Sequence, residues 1–159
     1  MDYGSYSTAQ MSDTTARWIT VDSGAYYWST SVTGVMVGST GYALENSASL
    51  VINSGTDYGY LPRLPGRKIM KKLLADVRTF KFFGRYYGPC STSSYVSLHV
   101  LLGSYWVEIP PSSYVKARKQ STEGRLACEL KLRLHFNEWF VMGNVLLENY
   151  YKRVNSGGK

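Results

Sequence analysis

No apolar stretch in this chain approaches the roughly 20 residues that span a bilayer. The longest such run, 96–102, is interrupted by His99 and stopped by Gly103, so no membrane span is expected. Residues 1–15 are polar and rich in Ser, Tyr and Thr, without the apolar centre of a secretory signal. The expectation is that a signal was removed ahead of Met1 or that the protein is not secreted. Cysteine and histidine are scarce at two each, and no pair among Cys90, Cys128, His99 and His135 has zinc-ligand spacing. Neither a metal nor another cofactor is expected. Asn-x-Ser/Thr acceptors are absent, so glycosylation says nothing of compartment. Bases are nearly missing from residues 1–62, where Arg17 alone faces Asp2, Asp13, Asp22, Glu45 and Asp57. The other 17 bases fall in residues 63–159 against six acids, which makes that part strongly basic.

What the chain does have is apolar and aromatic content, 44% and 14% of 159 residues, enough to bury one core. A single domain is expected over 1–155, with 156–159 as a flexible tail. Segments 18–21, 27–37, 49–52, 96–102, 106–109 and 127–136 are rich in β-branched, aromatic or other apolar residues and lie between Gly, Ser and Pro clusters. They predict a mainly β fold. One exception is 67–77, where Ile69, Leu73 and Val77 recur at four-residue steps opposite Lys68, Lys71 and Lys72, the pattern of an amphipathic helix. Around it, Arg63, Arg67, Arg78, Lys81 and Arg85 interleave with Phe80, Phe82, Phe83, Tyr86 and Tyr87. That mixture suits an anionic membrane or nucleic acid. The plainer expectation is a solvated helix face beside a strand whose aromatics are core. Cys90 and Cys128, 38 positions apart, are compatible with two buried thiols or with a disulfide.

The stretch Ser49-Leu50-Val51-Ile52-Asn53-Ser54-Gly55-Thr56, followed by Tyr60-Leu61-Pro62, resembles the second active-site loop of pepsin-like aspartic proteases. Asn53 stands where that family has its aspartate. Other ordered segments are similar to the family's C-terminal lobe: Tyr26-Tyr27-Trp28 through Gly38, the helix after Pro62, Glu108-Ile109-Pro110-Pro111, and the closing Trp139-Phe140-Val141-Met142-Gly143-Asn144 ending in Tyr150-Tyr151. The resemblance implies one pepsin-like lobe with one or two short helices. It also implies a Cys90–Cys128 disulfide and with it a secreted or other oxidising compartment. For the site, it implies that Ser54 interlocks with a partner loop, that Gly55 permits close backbone approach, and that Thr56 and Met142, beside Gly143, border a substrate-like groove.

Two departures accompany the likeness: Asn144 replaces the acid that follows the closing glycine, and Lys152-Arg153-Val154-Asn155 replaces the usual next strand. Dyad chemistry needs two carboxylates sharing a proton, and an amide has none to share. The resulting expectation is a catalytically inactive lobe that binds peptide or protein, by self-association or with a partner lobe. Nothing in the likeness supports nucleic acid. An alternative is the C-terminal half of an active endopeptidase, isolated or inactivated at Asn53. A third reading takes Trp18-Ile19-Thr20-Val21-Asp22-Ser23-Gly24-Ala25 as the active loop of a retroviral-type homodimeric protease, with Asp22 catalytic. The 119 positions from Asp22 to Val141 are long for so small a fold, whereas the 90 from Asn53 to Gly143 suit a pepsin-type lobe.

Overall fold

Strand β1 (Ser29–Val37) buries Val32, Val35 and Val37 while Ser31 and Thr33 stay exposed. Simple alternation would not put both 32 and 35 inside. A bulge between Val32 and Gly34 shifts the register against β6 by one residue and turns Val35 inward. Gly38, at φ 59°, opens the two-residue turn into β2 (Thr40–Ile52). In this computed structural model residues 19–22, 27–122 and 125–150 are described. Expectations for the 1–15 stretch, Trp18, Ser23-Gly24-Ala25, Tyr26, Tyr151, residues 152–155 and the 156–159 tail lie outside them.

Beside β1 and β2 run β3 (Gly59–Pro62), β6 (Leu98–Leu102), β7 (Tyr105–Ile109), β10 (Leu132–His135) and β11 (Phe140–Met142). They form a seven-stranded sheet in the order β10-β3-β11-β2-β1-β6-β7. β11, late in sequence, slots between β2 and β3, parallel to the first and antiparallel to the second. A second sheet contains β4 (Phe80–Phe82), β5 (Arg85–Gly88), β8 (Val115–Thr122) and β9 (Arg125–Leu130), ordered β4-β5-β9-β8. The core between these layers includes Leu50, Leu61, Leu98, Val100, Leu130 and Phe140, all fully buried. The mainly β expectation holds, and no helix among the described residues is long and apolar enough to cross a membrane.

Several boundaries differ from the sequence expectations. Residues 19–22 form no strand. Segment 127–136 is two strands, because the chain changes sheets at Lys131. The Lys131 N–H donates to Tyr114 O (2.7 Å), and its carbonyl accepts from Gly59 N–H (2.8 Å). The helix is α1 (Arg63–Leu73), four residues earlier than 67–77. Pro65 falls in its first turn, where a missing N–H costs no helical bond. Gly66 is buried where a Cβ would press on Leu134 and Leu61 (2.7 and 2.8 Å), so the glycine lets the helix lie close on β3 and β10. The apolar face is as expected: Ile69, Met70 and Leu73 are buried, while Lys68, Lys71 and Lys72 are exposed.

The aromatics of 80–87 do not all enter the core. Tyr87 is buried, but Phe80, Phe82 and Phe83 face solvent. Cys90 and Cys128 are joined in a disulfide with Cα atoms 5.0 Å apart, fastening the segment after β5 to β9. Two further helices are single turns, α2 (Pro111–Tyr114) and α3 (Asn144–Leu147).

Candidate functional site

The loop 53–58 leaves β2 and returns as β3, and the inserted β11 fixes both of its ends. Asn53 N–H donates to Met142 O (3.0 Å), Gly143 N–H to Tyr58 O (3.0 Å) and Asn144 N–H to Thr56 O (2.8 Å). Three backbone bonds therefore tie the loop to the last residue of β11 and the two residues that follow it. Position 143 admits only glycine, because a Cβ there would fall inside the contact radius of the Thr56 carbonyl oxygen. Met142 is fully buried beneath, with its sulfur against Gly59, so its side chain supports the loop from below.

Inside the loop, Asn53 folds back on itself. Its Oδ1 accepts from Gly55 N–H at 2.9 Å, the bond of an Asx turn. Thr56 Oγ1 accepts from Tyr58 N–H at 3.3 Å. Asn53, Ser54 and Gly55 are exposed, and Thr56 is half-buried.

Asp57, a residue sequence reasoning missed, sits at a junction. Its Oδ2 accepts from Lys131 Nζ (3.0 Å) and its Oδ1 from Asn144 Nδ2 (2.9 Å). The Lys131 bond, and then the Asn144 bond, hold its carboxyl below the ordinary carboxylate range. This gives a physical account of Asn144. An amide at that position donates to Asp57, whereas an acid would set two anions against each other.

Behind the loop, Tyr58 OH donates to Glu129 Oε1 (3.2 Å), and the Arg133 guanidinium lies 3.6 Å from the Tyr58 ring centroid. Glu129 is only 1% exposed and also receives Arg133 Nη2 (3.1 Å), with Arg85 Nη1 at 3.6 Å. Buried carboxylates persist when paired and hydrogen-bonded in this way. Each carboxylate bonded into this loop region is thus held by a cation, an arrangement suited to fixing a turn and presenting it.

Asp22 occupies a different place. Its Oδ2 accepts from Ser29 Oγ (2.8 Å) and its N–H donates to Ser29 O (2.8 Å), ahead of β1. The structure brings β11 to Asn53 and Thr56, with no bond from β11 to Asp22 among the described contacts. Separately, α1 and β5 border an open cleft of about 530 Å³ whose lining includes Arg67, Met70, Lys71, Leu74, Tyr86 and Leu134. None of these residues belongs to the Asn53 loop. The spacing of Asp57 from Lys131 and of Tyr58 from Glu129, more than 70 positions each, explains why sequence reasoning missed them. The one available signal was an amide at 144 with an acid at 57.

Over residues 1–159 the chain matches the family model described as eukaryotic aspartyl protease. No curated protein matches it.

Proposed function

Because this chain belongs to the eukaryotic aspartyl protease family, we propose that it is a catalytically inactive pepsin-like C-terminal lobe that works as a peptide- or protein-binding module. The observation that carries this reading is the Asn53 amide, turned back onto Gly55 N–H at the end of β2. Acid-protease chemistry requires a carboxylate there, sharing a proton with a second one. Asp57 offers no substitute, since its two carboxylate oxygens are already bonded to Lys131 and Asn144. The rival Asp22 reading is disfavoured by its position ahead of β1, where it bonds Ser29.

In this proposal the exposed Ser54 and Gly55 meet a partner polypeptide, a second copy or a separate lobe, with Thr56 beside them. Met142 and Gly143 hold the loop in place. The Cys90–Cys128 bridge fits an oxidising compartment, and secretion is the proposed case. A second reading has one observation in its favour. Asn53 is isosteric with aspartate, and a carboxylate oxygen would accept the same Gly55 bond. The chain would then be the C-terminal half of an active endopeptidase, isolated or inactivated at this residue.

Peptide cleavage at acidic pH, assayed for the chain, Asn53→Asp and Asp22→Asn, separates these readings. The inactive-lobe reading expects no cleavage by the unmodified chain. Activity gained by Asn53→Asp supports the second reading, with two lobes pairing. Cleavage by the unmodified chain that vanishes in Asp22→Asn sinks both. Light scattering over a dilution series, repeated with Ser54→Glu, tests whether the loop face is the contact.

A further inference from the structure

The hairpin of β4 and β5 has its most apolar residue at the least sheltered and most strained position. Phe82 pairs with Arg85, so Phe83-Gly84 is a two-residue loop, and both residues have positive φ, 45° and 77°. That is the type I′ geometry, for which Asn-Gly or Gly-Gly is the usual choice. In the two other two-residue hairpin loops among the described residues, Gly38-Ser39 and Gly103-Ser104, glycine takes the first position, at φ 59° and 60°. Phe83 takes it here. Among the described residues it is the only non-glycine with positive φ, a conformation unfavourable for a bulky side chain. It gains no burial in return, being 87% exposed. A strained residue that stays out of the core points to a use outside the fold.

The surroundings indicate what that use is. Phe82, 47% exposed, packs edge-on against Phe83 at 4.5 Å, making one apolar knob at the apex, and Phe80 is exposed on the same strand. Residues 63–88 carry eight bases against the single acid Asp76, a surplus equal to the net charge of the whole chain. Arg67, Lys68, Lys71 and Lys72 are exposed along α1. Lys81 Nζ lies 5.3 Å from the centroid of Tyr86, which also lines the cleft against α1. The basic helix face therefore borders the Lys81–Tyr86 side of the hairpin, with the Phe82–Phe83 knob at its apex.

We infer that this surface docks on an anionic phospholipid bilayer, with Phe82 and Phe83 entering the headgroup boundary and the α1 and Lys81 cations engaging acidic headgroups. Aromatic side chains favour that boundary, and bases near it add attraction to acidic lipids. Single-stranded nucleic acid fits less well, because it needs open ring faces for stacking. The Phe82 and Phe83 rings stand at 81° to each other, so the edge of one covers a face of the other. A peptide partner would call for a concave seat, and the strained residue is at an apex.

Co-sedimentation with phosphatidylcholine vesicles, with and without phosphatidylserine, tests the inference. Phe83→Asn is the decisive variant, since Asn-Gly suits the turn better than Phe-Gly while removing the apolar tip. The expected result is binding only to phosphatidylserine vesicles, weakened by salt. Phe83→Asn is expected to bind about tenfold or more weakly, with unchanged or raised thermal stability. Lys71→Gln and Lys81→Gln are each expected to weaken binding about fivefold. Equal binding to neutral vesicles, undiminished binding by Phe83→Asn, or absence of vesicle binding would overturn it. So would binding of a single-stranded oligonucleotide through the same residues with vesicles left unbound.

Discussion

The Thr56 carbonyl oxygen fills the space where a side chain at Gly143 would begin. The two residues lock the Asn53 loop to the chain leaving β11, and Asn144 N–H completes the contact by donating to that same oxygen (2.8 Å). Gly143→Ala is expected to lower stability by about 3 kcal/mol or more, because the obstacle is backbone and cannot rotate away. Gly41→Ala, where an added Cβ meets nothing within 4 Å, is the control. Denaturant midpoints measure both, and a similar small change in the two variants would show that the loop shifts freely.

Asp57 gives the site a pH dependence of known sign. Its folded-state pKa is lowered, chiefly by the Lys131 hydrogen bond and then by Asn144. Its contribution is therefore fully present above the ordinary carboxylate value of about 3.9 and is lost as pH falls through the lower folded value. Asn144→Asp should reverse this. Two facing carboxylates repel at neutral pH and take up a proton on acidification, so the stability gap from the parent should narrow as pH falls. Urea midpoints at neutral and acidic pH check it; a gap independent of pH would mean the two side chains do not interact.

The strands whose apolar residues recur locally were legible in the sequence, as were the two loop segments, 49–56 and 139–144, that β11 brings together. Element ends were less so. Pro65 and Gly66 read as breakers, although one sits in the first helical turn and the other lets α1 close on Leu61. The passage of 127–136 between sheets was hidden because a run of apolar residues looks the same on either side of Lys131. Phe80, Phe82 and Phe83 read as core because sequence records hydrophobicity and not which strand lies opposite. β4 is the edge of its sheet among the described residues, where neighbours that could cover them are fewest. The cations around the loop were out of reach for a different reason: Lys131 and Arg133 meet Asp57 and Tyr58 only after β10 has paired with β3.

The disulfide is expected to matter more than its small size suggests. It closes a 38-residue separation and fastens an exposed segment to β9, whose Cys128 is buried. Cys128→Ala should cost about 2 to 5 kcal/mol. Thermal unfolding with and without reductant measures it, and the alanine variant should be insensitive to reductant. An unchanged midpoint on reduction of the parent would show that pairing of β5 with β9 suffices.

Glu129 supplies the last test, because it joins the Asn53 loop to the second sheet. Its side chain accepts from Tyr58 and Arg133 and lies 3.6 Å from Arg85. Removing one member of a buried ion pair leaves the other charge without its partner, at a cost of about 3 to 5 kcal/mol, whereas replacing both with apolar groups is often near neutral. Glu129→Leu is therefore expected to destabilise by about that amount. Adding Arg133→Leu should recover part of the loss, giving a favourable coupling between the two substitutions. If the two costs simply add, the Arg133 bond carries no energy of its own. The Tyr58 hydroxyl would then be a main contact through which Glu129 holds the loop, beside Arg85, and Tyr58→Phe should reproduce part of the single-variant loss.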